Sequence, residues 1–84
     1  MKPVTIYTTA WCGYCHRAKA LLSRKEVPFD EIDVTMDRAR RDEMEEKSGR
    51  HTVPQIWIGD THVGGSDELH ALERTGKLDP LLAG

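Results

Sequence analysis

Thr9-Ala10-Trp11-Cys12-Gly13-Tyr14-Cys15-His16 holds both cysteines of the chain, spaced C-x-x-C. The run Val4-Thr5-Ile6-Tyr7 before it mixes β-branched and aromatic residues and reads as a strand. Arg17-Ala18-Lys19-Ala20-Leu21-Leu22-Ser23-Arg24-Lys25 follows, and a helix is expected from about Cys15 to Lys25. Ala18, Leu21 and Leu22 give it an apolar stripe at i, i+3, i+4. A C-x-x-C pair set between a strand and a helix, in a chain with no other cysteine, points to a redox site.

The expected roles follow from helix electrostatics. The first N–H groups of a helix lack intrahelical partners, and the macrodipole adds positive potential there. A thiol at that position is stabilised as thiolate. Cys12 stands at the helix entrance and is expected to be the nucleophile. Cys15, one turn further in on the same face, can attack a mixed disulfide on Cys12. Arg17 and Lys19 add positive charge, although exposed flexible cations contribute little. A structural disulfide fits poorly, because so short a loop removes little unfolded-state entropy. A zinc site would have to recruit His16 and His51, and no second ligand pair stands at finger or ribbon spacing. No metal site built from protein ligands alone is expected.

The 84 residues suggest one domain, 1–84, with a small core. Hydrophobic residues at 38% and charged residues at 31% suit a folded chain rather than a disordered one. The net charge of -2 gives no basic footprint for nucleic acid. No apolar run approaches the roughly 20 residues of a membrane helix. Met1-Lys2-Pro3 leads straight into the first strand, without the apolar core of a secretory leader. A cytoplasmic location is expected, where a lone C-x-x-C cycles instead of staying oxidised.

Further along, Phe29 to Val34 alternates and predicts a second strand, parallel to the first through a right-handed crossover. Asp37 is the expected N-cap of a helix over Arg38 to Ser48, ended by Gly49. Ala39 and Met44 are its apolar residues, and Glu43–Lys47 is its expected i, i+4 pair. Val53 to Ile58 predicts a third strand with Pro54 near its start, a position proline tolerates. Gly59-Asp60 predicts a hairpin turn into Thr61 to Val63. Ser66 is the expected cap of a third helix carrying Asp67 and Glu68 in its first turn. Leu69, Leu72 and Ala71 are expected to face inward, and Leu78, Leu81 and Leu82 to dock as an apolar tail. The sum is an α/β fold in the order β-α-β-α-β-β-α: a four-stranded mixed sheet flanked by helices.

Three separated motifs together resemble the glutaredoxin family over essentially the whole chain. They are Cys12-Gly13-Tyr14-Cys15, Thr52-Val53-Pro54, and Gly64-Gly65-Ser66-Asp67-Glu68-Leu69. The runs Cys15 to Leu22 and Leu78-Asp79-Pro80-Leu81-Leu82 are similar to those of the small bacterial dithiol members. The resemblance implies a thioredoxin fold that binds glutathione as co-substrate. It also implies a cis Pro54 beside the active cysteine. Val53 is expected to offer its backbone to the glutathione cysteinyl unit. Gly65, Ser66 and Asp67 are expected to hold the γ-glutamyl end, with Tyr14 and Thr52 lining the groove. Free N–H groups at a helix N-terminus suit a carboxylate, and Asp67 can pair with an ammonium group. The implied partners are glutathione and glutathionylated or disulfide-containing proteins, met by a monomer, with no nucleic acid and no membrane.

The chain departs from the family pattern at four places. Gly13 replaces the usual proline of C-P-Y-C and loosens the turn. Some relatives without that proline hold a [2Fe–2S] cluster at a dimer interface through the first cysteine, here Cys12, and glutathione, which is the alternative reading. Thr9 stands where a lysine usually takes the glycine carboxylate of glutathione. Ser66 stands where bacterial relatives often have a third cysteine. Trp11-Cys12-Gly13 resembles thioredoxin, but thioredoxins lack the G-G-x-D-x-L motif, which favours the glutathione-dependent activity.

Overall fold

The computed structural model describes residues 1–84. Its elements are β1 (Val4–Thr8), α1 (Gly13–Arg24), β2 (Asp30–Asp33), α2 (Arg38–Ser48), β3 (Gln55–Ile58), β4 (Thr61–Gly64), α3 (Ser66–Arg74) and α4 (Leu78–Ala83). The four strands lie in the order β2-β1-β3-β4. β1 and β2 are parallel, as a strand–helix–strand crossover requires. β3 runs antiparallel to β1, and β4 antiparallel to β3. This is the thioredoxin fold.

Strand alternation sorts the core into two layers. Val4 and Ile6 of β1 and Ile56 and Ile58 of β3 face one way. They pack on Ala18, Leu21 and Leu22 of α1, on Leu69 of α3, and on Leu78 and Leu82 of α4. Tyr7 and Trp57 face the other way and meet Val34 and Met44, with α2 as cover. The expected alternation of β2 divides between these layers. Phe29 packs on the larger cluster, whereas Ile32 and Val34 join the smaller one.

Several expectations need correction. α1 begins at Gly13, not near Cys15, because Cys12 is itself the cap. The Leu78–Leu82 tail is helical. Its Leu78 and Leu82 are buried at i, i+4, and Pro80 sits in the first turn, where the missing N–H costs nothing. Ala39 is exposed, so Met44 alone among the apolar residues anchors α2. Glu43 does not pair with Lys47. It accepts the Tyr7 hydroxyl and Arg40 Nη1, while Lys47 Nζ lies 4.8 Å from the Trp57 ring centroid. The cap of α3 is Gly65, and Ser66 is its first helical residue. Pro54 immediately precedes β3, a central strand, and so removes no ladder hydrogen bond.

The strand directions have one consequence for function. The ends of β1, β2 and β4 and the start of β3 all fall at the same edge of the sheet. The loops carrying Cys12, Thr35, Pro54 and Gly65 are therefore neighbours.

Candidate redox site and groove

Cys12 has an extended backbone (φ -111, ψ 109) and occupies the N-cap of α1. Its sulfur accepts the Cys15 N–H at 3.0 Å, filling the role a cap oxygen usually takes. As a thiol it also lies 3.7 Å from the Val53 carbonyl oxygen and can donate to it.

Cys15 falls on the Ala18–Leu22 stripe, and the same periodicity that builds the core buries it to 1% exposure. Burial, and then the hydrogen bond with the Cys12 sulfur, push the Cys15 thiol well above the ordinary thiol range. The two sulfurs thus share one helix turn but have opposite surroundings. Both are free thiols, with Cys12 half-buried and Cys15 buried. His16 is exposed; its backbone N–H donates to Cys12 O at 3.2 Å, and its ring makes no hydrogen bond with either sulfur.

Beneath the pair, the buried Thr8 hydroxyl donates to Glu31 Oε2 at 2.8 Å, and Lys19 Nζ meets the same oxygen at 2.9 Å. The Lys19 ammonium, with Thr8 donating as well, holds the Glu31 carboxyl below the usual range. Lys19 adds a positive charge felt at Cys15.

Beside Cys12 an open groove of about 320 Å³ runs toward α3. It is lined by Tyr14, Thr52, Val53, Pro54, Gly65, Ser66 and Asp67. All of the residues expected to contact glutathione therefore meet in one place, and the Val53–Pro54 bond is cis. Ser66 is buried, and its hydroxyl lies 3.3 Å from His70 Nδ1. The first intrahelical N–H of α3 is that of Leu69, bonded to Gly65 O, so the Ser66 and Asp67 N–H groups precede the helix ladder.

Three lining residues were not foreseen: Arg50, Gln55 and Glu68. Arg50 Nη1 meets Glu68 Oε1 at 3.1 Å, and Glu68 Oε1 accepts the Gly65 N–H at 2.7 Å. The Gly65 N–H, and then Arg50, hold the Glu68 carboxyl below its usual range. Gln55 is fully buried and donates to Thr52 O at 3.0 Å, fixing the loop before Pro54. A polar glutamine at the head of the apolar run Ile56-Trp57-Ile58 was the available signal for it.

Two thiols at the entrance of a helix, beside a cis-proline loop on a thioredoxin fold, define a thiol–disulfide oxidoreductase. Comparison with known proteins narrows this class. The family model for glutaredoxin matches residues 4–63. A glutaredoxin of Pseudomonas aeruginosa is 64% identical over 83 residues, covering 99% of each chain. The solution structure of a glutaredoxin from Brucella melitensis is 58% identical, with a TM-score of 0.86 over 98% of this chain and 89% of that one. A buckwheat glutaredoxin in complex with glutathione is 30% identical, with a TM-score of 0.89 over 98% and 77%. This chain belongs to the glutaredoxin family.

Proposed function

We propose that this protein is a glutathione-dependent oxidoreductase that reduces glutathione mixed disulfides and protein disulfides. The observation that carries this reading is the position of Cys12. Its sulfur caps α1, accepting the Cys15 N–H at 3.0 Å, and stands beside the groove that gathers Tyr14, Thr52, Val53, Pro54, Gly65, Ser66 and Asp67. The glutathione complex of the buckwheat relative supports the choice of co-substrate.

In the proposed reaction the Cys12 thiolate attacks the glutathione sulfur of a mixed disulfide. A Cys12–glutathione bond forms, and the client cysteine leaves as thiolate and takes a proton from solvent. The glutathione γ-glutamyl carboxylate lies against the Ser66 and Asp67 N–H groups, and Asp67 pairs with its ammonium. Arg50 supplies the groove with a positive charge that Thr9 cannot. A second glutathione thiolate then attacks the glutathione sulfur held on Cys12, releasing glutathione disulfide and restoring the Cys12 thiolate. With a protein disulfide, Cys12 forms the mixed disulfide; Cys15, losing its proton, attacks the Cys12 sulfur, the Cys12–client bond breaks and the client leaves as thiolate, and two glutathione thiols then reduce the Cys12–Cys15 disulfide and leave as glutathione disulfide. The chain acts as a monomer in a reducing compartment, as expected of the cytoplasm.

A second reading is a [2Fe–2S] cluster shared by two copies. One chain offers no group of three His, Cys, Asp or Glu side chains able to hold a metal ion. Cys12 is its one accessible thiol, so two copies and two glutathiones would have to complete the ligand set.

The test is glutathione-driven deglutathionylation of a model peptide by the wild type and by Cys15→Ser. Turnover by both is the expected outcome, with Cys15 needed only for protein disulfides. Turnover by neither overturns the catalytic reading. Visible absorbance after anaerobic purification with glutathione would favour the cluster instead.

A further inference from the structure

Four large apolar side chains are exposed in this chain: Met1, Trp11, Tyr14 and Met36. Three of them gather at the sheet edge that carries Cys12. Trp11 is 96% exposed and Met36 94%. The two sit on adjoining loops, because the Ala10 N–H donates to Thr35 Oγ1 at 2.8 Å. Further bonds fix both loops: Val34 N–H to Thr8 O at 2.8 Å, and Thr35 N–H to Asp33 Oδ1 at 2.8 Å. The aromatic pairs of the fold involve only Tyr7, Trp57 and His62, so the Trp11 indole rests on no other ring. Thr8 to Trp11 and Val34 to Met36 carry no charge, in a chain that is 31% charged. The flanking Asp33 and Asp37 carboxylates are turned onto backbone N–H groups of Thr35 and Arg40. An uncharged, apolar rim held by ordered loops beside a reacting sulfur is a contact surface.

We propose that Trp11 and Met36 dock the polypeptide half of a glutathione mixed disulfide, one with a large apolar side chain close to its cysteine. This rests on the functional reading above. The sheet order selects the occupant. In β2-β1-β3-β4, the Cys12 loop after β1 has the glutathione groove on its β3–β4 side and the Met36 loop on its β2 side. With Cys15 buried below, the groove lined from Tyr14 to Asp67, and Thr9 offering no charge to hold the glycine end of glutathione on the β2 side, that side is the rim left for the client. The client sulfur is one S–S bond, about 2 Å, from the glutathione sulfur that Cys12 attacks. The client backbone on either side of its cysteine therefore passes over the surface around Cys12. The attack forms the Cys12–glutathione disulfide, breaks the client–glutathione bond, and releases the client thiolate, which is protonated by solvent.

The experiment compares the wild type with the Trp11→Ala/Met36→Ala double variant on three substrates. These are a glutathionylated peptide with Phe or Leu two residues from its cysteine, the same peptide with Ser there, and the mixed disulfide of glutathione with 2-mercaptoethanol. The wild type is expected to have a KM for the apolar peptide at least about fivefold below that for the Ser peptide, as partial burial of one apolar side chain supplies. The double variant should lose that difference while turning over the small disulfide within about twofold of wild type. Trp11→Phe/Met36→Leu should restore the discrimination. Equal KM values for the two peptides with the wild type overturn the proposal while leaving the functional reading intact. So does a wild-type dimer that the double variant converts to monomer, which assigns the patch to a second copy. Absence of turnover of the small disulfide by the wild type overturns both.

Discussion

The Glu68 carboxylate accepts the Gly65 N–H at 2.7 Å, three residues back at the start of α3. That bond fixes the entry of the helix whose first N–H groups face the groove. It also holds Arg50, 3.1 Å away, over the same groove. Glu68 thus links a helix cap to the charge of a binding surface.

Gly64→Ala should break this link. Gly64 has φ +112, and an added Cβ would lie 2.5 Å from Glu68 Oε1. The strained backbone costs roughly 1–3 kcal/mol, and the displaced carboxylate releases both Gly65 and Arg50. A lower urea midpoint together with a raised KM for glutathione is the expected result. A variant with unchanged glutathione kinetics would show that the cap does not shape the groove.

Glu68→Gln should flatten part of the acid limb of stability. The Glu68 carboxyl sits below its usual range in the folded protein. Its contribution is therefore fully present above the unfolded carboxylate value of about 4.3 and is lost as pH falls below it. Urea titrations at pH 7 and pH 3 should show a smaller drop for Glu68→Gln than for the wild type. An identical drop counts against the assignment.

Gly13→Pro should stabilise. Gly13 is the first residue of α1, where proline is favoured, and a Cβ there meets nothing within 4 Å. Cys12 already has the extended backbone that a following proline demands. The expected gain is about 0.4–1 kcal/mol, read as a rise of a few degrees in Tm. A fall in Tm would mean that the Gly13 N–H has a structural partner.

Met44→Ala should release α2. Met44 is the fully buried residue of that helix and contacts the cluster of Tyr7, Val34 and Trp57. The expected cost is about 2–5 kcal/mol, with early loss of hydrogen-exchange protection in 38–48. Ala39, on the exposed face of the same helix, should tolerate substitution with little change.

Native-state alkylation should separate the two thiols. Cys12 is accessible, whereas burial keeps Cys15 protonated at neutral pH. Mass spectrometry after brief iodoacetamide treatment at pH 7 should find the label on Cys12, with Cys15 reacting only after unfolding. Comparable labelling of both would contradict the burial of Cys15.

Local pattern alone determined the order of strands and helices up to α3, the helix entrance at Cys12, and the C-x-x-C turn. These depend on neighbours three or four residues apart: a cap, an apolar stripe, a glycine with positive φ at Gly49 or Gly59. The motifs at Thr52 to Pro54 and Gly64 to Leu69, read through the family resemblance, also foretold which residues would share the groove.

Tertiary structure decided the rest. Which strand lies in the middle depends on long-range pairing, and only that order places the groove toward α3 and the Trp11–Met36 rim on opposite sides of Cys12. Lys47 is drawn to the Trp57 ring and Glu43 to Tyr7 because β1 and β3 present those rings to α2, which no i, i+4 rule contains. The cap of α3 falls on Gly65 instead of Ser66: the Glu68 carboxylate takes the Gly65 N–H, and the buried Ser66 hydroxyl faces His70. Arg50 belongs to the groove only because folding brings it against Glu68, 18 residues away in sequence. Each of these outcomes is a contest between partners distant in the chain, and sequence spacing cannot rank partners that only the fold brings together.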